Sequence, residues 1–459
     1  MPDGEGHLLT SASTRSGKGT CQIIRNLLGW TGSVFVLDIK GENHFRSAGC
    51  RSKVMQQKVY RFAPFESNTF VFNPILFIRT SLSNEPTAEE LATEELDVLD
   101  LAKLLIVPNK KTNEPIWDET ANSVLIAFVL YVRTAKLYRK GSASKVRERS
   151  MREVRRLLTL GEEDFIVLLD DMSKSKRPLI REQATELKGN LLGNDRFFLS
   201  LKATVSHHTA IWSLTAIHRA TYKPSTTPGD LEPAPNDFDF SEMRSGKVSF
   251  YLVIPPQKIS KCQPLLRVIT GIALIQLQNS HELLSEQDTD TPPVLFLLDE
   301  FPQLGHMQVI EENLAFIAGY GVRLWFFIQD LGQLYTAYGD SSRTILANTE
   351  YKSFFGIVDI ETAAYVSRYL GEMPIDTYSY NNGRTEGSAN WNSNDAQNKS
   401  YSVSTSTIFR PLLSPDQVLC LPRNKQIILI KGLRAILCDL IRYCDIDDLK
   451  QKSRIPPQS

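Results

Sequence analysis

Four near-continuous apolar runs constrain this chain most: Ser33-Val-Phe-Val-Leu-Asp38, Val248-Ser-Phe-Tyr-Leu-Val-Ile254, Val294 to Leu298 and Val322 to Ile328. A strand with one wet face alternates apolar and polar residues. A run that is apolar at nearly every position needs cover on both faces, which suits a parallel sheet layered by helices. Helical sequence follows the last two runs, and a helix is expected from about Cys262 to Leu284 after the Val248 run. Shorter strands are expected at His7 to Thr10, Val59 to Phe62 and Gln426 to Ile430. The fold class is therefore α/β with a mostly parallel sheet.

Between about Glu85 and Thr221 the pattern changes to helices, beginning with an acidic one (Glu89, Glu90, Glu94, Glu95, Asp97, Asp100). Ser123 to Val132 reads as a buried helix, and the proline-rich stretch from Thr226 to Asp237 as the linker out. This gives an inserted all-α domain (85–238) interrupting an α/β domain whose two parts are 1–84 and 239–459. Residues 133–156 carry ten Lys or Arg against two Glu, as expected for a solvated helix face or for a polyanion contact. Residues 378–407, rich in Asn, Ser and Tyr, suggest a polar hairpin or mobile loop, and the tail after Asp445 is expected to fray.

Chemistry concentrates where apolar runs end. After the first strand comes Ala12-Ser-Thr-Arg-Ser-Gly17-Lys18-Gly19-Thr20, in the place and close to the form of the phosphate loop G-x-x-x-x-G-K-[ST]. Loop amides and the following helix N-terminus would cradle β-phosphate oxygens, with Lys18 reaching the β/γ oxygens. Ala12 replaces the first glycine, and Gly19 the hydroxyl residue that normally meets Mg²⁺. The run Val294 to Leu298 ends in Asp299-Glu300, at the strand edge where open α/β sheets bind ligands. Asp299 there is the candidate Mg²⁺ holder and Glu300 the candidate base for the attacking water. Gln329, after Val322 to Ile328, is placed to sense the γ-phosphate. Asp38 and Lys40 end the second strand on the same edge, with a local salt bridge as the alternative reading. The 281 positions separating Lys18 from Asp299 exceed what one sheet requires, and this favours a motor with an inserted body.

Thr14-Arg-Ser-Gly-Lys-Gly19, Asp38-Ile-Lys-Gly-Glu42, Leu298-Asp-Glu-Phe-Pro-Gln-Leu-Gly305, Gly319-Tyr-Gly-Val-Arg323, Gln329 and Arg410-Pro-Leu-Leu-Ser-Pro-Asp416 together resemble the TraG/TraD-like coupling proteins of type IV secretion and conjugation. The resemblance spans about His7 to Tyr443, and Gly19 is a known variant within it. It implies a RecA-like P-loop ATPase core using ATP and Mg²⁺, with Thr14, Arg15, Ser16, Gly17, Lys18, Gly19 and Thr20 forming the nucleotide loop. It also implies a homo-hexamer at the cytoplasmic face of the bacterial inner membrane. The partners implied are channel subunits and either DNA with its relaxase, single-stranded in the leading reading, or secreted effector proteins. Arg323 is the candidate arginine acting across a subunit boundary. Rival readings are a cytosolic translocase of the FtsK/HerA type and a non-hydrolysing substrate adaptor.

Composition separates few of these readings. Lys plus Arg and Asp plus Glu are 52 each, so any polyanion site must be a local patch. Six scattered cysteines fit a reducing compartment, and the adjacent His207 and His208 are poorly spaced to share a metal. No run reaches the ~18 apolar residues of a membrane-spanning helix and the N-terminus is polar, whereas the family usually carries such helices before the loop. The chain as given is expected to be soluble and mainly monomeric in dilute solution.

Overall fold

The computed structural model describes residues 6–80, 85–106, 116–191, 195–280, 292–384 and 399–457. Strands β1 (His7–Ala12), β2 (Val34–Asp38), β3 (Lys58–Phe62), β4 (Val248–Val253), β5 (Val294–Leu298), β6 (Val322–Ile328) and β7 (Thr349–Phe355) run parallel. The antiparallel strands β10 (Lys425–Ile430) and β11 (Ile436–Asp439) extend the sheet, whose order is β11-β10-β7-β1-β6-β5-β2-β4-β3. The expected mostly parallel α/β core is therefore present. Every residue of β1, β2, β4 and β5 is buried, because helices cover both faces.

Register decides where the site forms. Ser11 of β1 lies level with Ile328 of β6 and with Phe354 of β7, and Leu298 of β5 lies level with Phe326. The chain therefore leaves β1, β5, β6 and β7 at one edge, within a residue or two of the same height. After β1 a six-residue π-helical turn (Lys18–Ile23) runs into α1 (Ile24–Leu27), and α2 (Glu42–Lys53) follows β2.

The inserted helices are α3 (Ala88–Leu105), α4 (Ile116–Thr134), α5 (Met151–Leu158), α6 (Glu162–Met172), α7 (Pro178–Leu191), α8 (Asp195–Thr209) and α9 (Thr215–Thr221). They share one apolar cluster with α10 (Ile259–Asn279) and with the sheet, so the insertion is packed onto the core. The acidic helix α3 starts with a capping box at Thr87 and spends two of its acids inward: Arg177 clamps the buried Glu94 (2.6 Å), and Arg79 holds Asp97 (2.7 Å). The basic run is corrected in the same way. Arg149 is buried and pairs with Glu232 (2.5 Å), Arg155 donates to the Ser206 carbonyl (2.7 Å), and Arg156 pairs with Glu153 (2.7 Å). These arginines hold the insertion together; Lys136, Arg139, Lys140, Arg147 and Arg152 remain exposed.

Beyond β5 lie α11 (Gln308–Asn313), α12 (Leu331–Tyr338), α13 (Ser341–Asn348) and α14 (Ile360–Leu370). The polar segment is a hairpin of β8 (Glu372–Arg384) and β9 (Lys399–Pro411), joined by hydroxyl pairs Thr377–Ser406 and Ser379–Ser404; residues 385–398 lie outside the described part. The helix expected to reach Leu284 ends at Asn279, and 281–291 also lie outside it. As far as residue 457 the tail is packed rather than frayed. After α15 (Pro415–Leu419) and the β10–β11 pair, α16 (Asp447–Lys452) docks, with Leu449 and Ile455 packed on Ile24, Leu28, Cys50 and Tyr443. The few apolar residues of this polar tail face inward, a pattern too sparse to read along the sequence. Among the described residues no helix is long and apolar enough to cross a membrane.

Candidate functional site

Lys18 is buried at the start of the π-helical turn, just past the exposed Thr14 and Arg15. Gly17 before it has φ +109°, a conformation costly for any residue with a Cβ, so the turn requires glycine there. Ser16 folds the loop by donating to the Ser13 carbonyl (2.6 Å), and the Thr20 hydroxyl turns back to the Gly17 carbonyl (3.3 Å). The first turn of a helix leaves N–H groups without intrahelical partners, so the amides of Lys18, Gly19 and Thr20 mark the anion-binding end.

The strand ends converge on the loop. Lys18 Nζ donates to Glu300 Oε1 (3.3 Å) and to the Ile328 carbonyl (3.5 Å). Gln329 Nε2 donates to Glu300 Oε2 (3.0 Å), and Thr14 Oγ1 donates to Gln329 Oε1 (3.3 Å). One hydrogen-bonded chain thus joins four residues drawn from three strand ends. Glu300 sits at φ +54°, in the left-handed region, a strain of about 1–3 kcal/mol that clusters at functional sites. Asp299 beside it is raised from 3.8 to about 7, first by burial and then by the Glu300 charge, with Lys18 opposing. A carboxyl held this close to neutrality, next to a second carboxylate, is where a divalent cation would be stabilised. Mg²⁺ is commonly held by one or two carboxylates together with phosphate and water, so Asp299 fits that role without a larger cluster. Gly19 supplies no hydroxyl to it.

Asp38 is buried and caps α2, its Oδ2 accepting from the His44 amide (2.8 Å), and burial raises it to about 6. Lys40 is exposed. The pair lies at the expected edge, and the alternative reading, a salt bridge between the two, is not formed among the described residues. Arg323 lies at the other edge: it is the second residue of β6, six positions or roughly 20 Å from Gln329, and donates to the Ala318 carbonyl (2.7 Å). It does not reach this chain's own loop.

Two features were not read from the sequence. Gly356, after β7, has φ +55°; a Cβ there would fall 2.5 Å from Ser16 Cβ, and its carbonyl accepts from Ser13 N (3.4 Å). The glycine closing Ser353-Phe-Phe-Gly356 was the available signal. Beneath the loop, Gln22 accepts from Thr10 (2.6 Å) and donates to Ser353 (2.9 Å) and Gln426 (3.2 Å), while the Trp325 indole donates to Thr10 (3.0 Å). This buried network ties the π-helical turn that carries Lys18 to β1, β6, β7 and β10.

A profile of the family described as Type IV secretory system Conjugative DNA transfer matches residues 2–458. The chain belongs to that family. Similar proteins include a conjugal transfer protein TraG of Escherichia coli, 27% identical over 92% of this chain and 63% of its own length. Protein VirD4 of Agrobacterium fabrum is 28% identical over 95% of this chain and 58% of its own length. The chain thus spans about three-fifths of these relatives. Among solved structures, the plasmid coupling protein TrwB in complex with ADP and Mg²⁺ aligns with a TM-score of 0.62 at 15% identity, covering 96% of this chain and 87% of that one. That likeness fixes the fold: the core is the RecA-like P-loop type that the family resemblance implied.

Proposed function

We propose that this chain is an ATP-driven coupling protein that feeds DNA, single-stranded and carried with a relaxase, or an effector protein, into a type IV secretion channel. The observation that carries the reading is the Lys18–Glu300–Gln329–Thr14 chain across three strand ends. In this reading the loop amides and Lys18 bind the phosphates of ATP. Mg²⁺, held at Asp299, would supply charge neutralisation on the phosphates. Glu300 takes the proton of the attacking water, its two oxygens aimed by Lys18 and Gln329. As Lys18 turns to phosphate it releases one oxygen of Glu300, so nucleotide entry itself frees the base. Gln329, still held by Thr14, faces the γ-phosphate.

Arg323, set at the far edge, suits action on a neighbouring subunit, in keeping with a homo-hexamer at the cytoplasmic face of the inner membrane beside the channel subunits. A Glu300 oriented from two sides speaks against a non-hydrolysing adaptor. The test is ATP turnover of the purified chain with and without a single-stranded oligonucleotide, for the native protein and Glu300→Gln. Nucleotide binding should persist in the variant while kcat falls by roughly 10²–10⁴. Equal turnover in both proteins would remove Glu300 as base, and no turnover by the native chain at any protein or DNA concentration would favour the adaptor.

A further inference from the structure

A second basic feature lies outside the nucleotide site, where the insertion meets the core. The end of α8 and the start of α10 enclose a groove of about 480 Å³, lined by His207, Ile211, Leu214, Lys261, Gln263 and Arg267, among others. Such a volume lies in the range of small-ligand sites, about 300–1,000 Å³.

Arg267 is 7% exposed, and its Nε donates weakly to the Leu104 carbonyl (3.4 Å). Its two terminal nitrogens have no hydrogen-bond or carboxylate partner among the described residues. A buried guanidinium without a counter-charge is costly unless something anionic completes it; here burial lowers it to about 10. His208, which also lines the groove, is paired with Asp118 (3.4 Å). The N-terminus of the 21-residue α10 opens into the same groove, with no side-chain cap and no acid in its first turn, and adds the positive end of the helix dipole. Lys261 stands exposed at the rim. The opposite wall is apolar, with Ile211 buried and Leu214 44% exposed, and carries the exposed His207 ring.

A cationic wall facing an apolar and aromatic one matches a nucleotide better than an acidic peptide, since it offers one side to phosphate and the other to a base. We propose that this groove holds one nucleotide of a DNA single strand, its phosphodiester on Arg267 and Lys261 and its base against Leu214, Ile211 and His207. The proposal rests on the coupling-protein reading for the identity of the strand. It also gives that strand a path to the chemistry. Gly305, five residues after Glu300, abuts the groove: a Cβ on it would lie 3.5 Å from Arg267 Nη1 and 3.8 Å from Gln263 Oε1. A phosphate drawing Arg267 towards the groove moves a side chain packed on the loop that carries the base.

The test uses the full chain and fluorescein-labelled oligothymidylate, read by anisotropy over a salt series. Arg267→Gln should weaken binding roughly tenfold to a hundredfold, the range for one lost charge-assisted hydrogen bond. Lys261→Gln should weaken it less and lower the salt slope by about 0.7. Binding of a fluorescent ATP analogue, measured on the same preparations, should stay at the native level, so failure of the groove and failure of the nucleotide site show separately. Should Arg267→Gln not fold, Lys261→Gln and a rim probe decide. Leu214→Cys should be protected from maleimide by oligothymidylate, read by mass spectrometry of its peptide. Unchanged affinity and slope without protection at 214 would overturn the proposal. So would protection by polyglutamate but not by oligothymidylate, which would place an acidic protein segment in the groove.

Discussion

Replacing Asp299 with asparagine should change how the stability of the protein depends on pH, and in one direction only. Burial and the neighbouring Glu300 raise the Asp299 carboxyl from 3.8 to about 7 in the folded chain. A raised carboxyl favours folding when protonated, so its contribution is complete below about pH 4 and is lost as pH climbs through about 7. At 1.36 kcal/mol for each tenfold change, the native protein should lose up to about 4 kcal/mol from this one group between those limits. Water entering the site makes this an upper figure. Asp38, raised to about 6 for a similar reason, acts in the same direction, so the informative quantity is the difference between native and Asp299→Asn proteins. Urea unfolding followed by tryptophan fluorescence at pH 5, 6, 7 and 8 gives it. The native curve should fall below that of the variant as pH rises, and saturating Mg²⁺ with ATP should reverse most of the difference by drawing the proton off. Parallel pH profiles would refute a desolvated Asp299 and remove the argument for placing Mg²⁺ there.

Lys18→Ala should abolish detectable ATP binding by equilibrium dialysis and leave Glu300 with Gln329 alone; retained binding would detach Lys18 from the phosphates. Gly356→Ala forces a Cβ against Ser16 at a positive φ, and should cost about 1–3 kcal/mol in unfolding and weaken ATP binding; an unaffected affinity would mean that β7 does not shape the loop. Arg149→Ala should destabilise by roughly 3 kcal/mol because it leaves Glu232 and two backbone carbonyls unpaired. Reversing the exposed Arg139, Lys140 and Arg147 should leave the melting temperature within a degree or two, whatever it does to DNA binding.

β5 and β6 were legible because strands buried on both faces leave a near-unbroken apolar run, with Asp299, Glu300 and Gln329 directly after such runs; β1, which buries His7, Thr10 and Ser11, was marked instead by the glycine-lysine loop that follows it. β7 was not legible. It carries Glu350 and Lys352 in its interior, and Lys352 is tolerated there only because its ammonium reaches the Thr349 carbonyl (2.6 Å), a partner no local pattern announces. The arginines of the basic run read as surface because a charge is normally solvated; carbonyls and acids up to 83 positions away make them internal. Gln22 and Gln426 look like ordinary polar residues until the sheet brings them together. The ends of strands are written locally, and the partners of buried charges are not.

The central position of β1 has a kinetic consequence. Leu8 pairs with Trp325, 317 positions later, and Leu8 also lies level with Tyr351 on its other side. At ribosomal speeds of about 5–20 residues per second, the interval between making these partners is roughly 15 seconds to a minute. Throughout it, β1 and the glycine-rich turn after it have no sheet to join, while the helical insertion between them can already collapse on itself. The strand that leads into the proposed nucleotide site is thus among the last to be placed, and a nascent chain held at residue 320 would carry a folded insertion beside an apolar strand still open to chaperones or to another chain's edge.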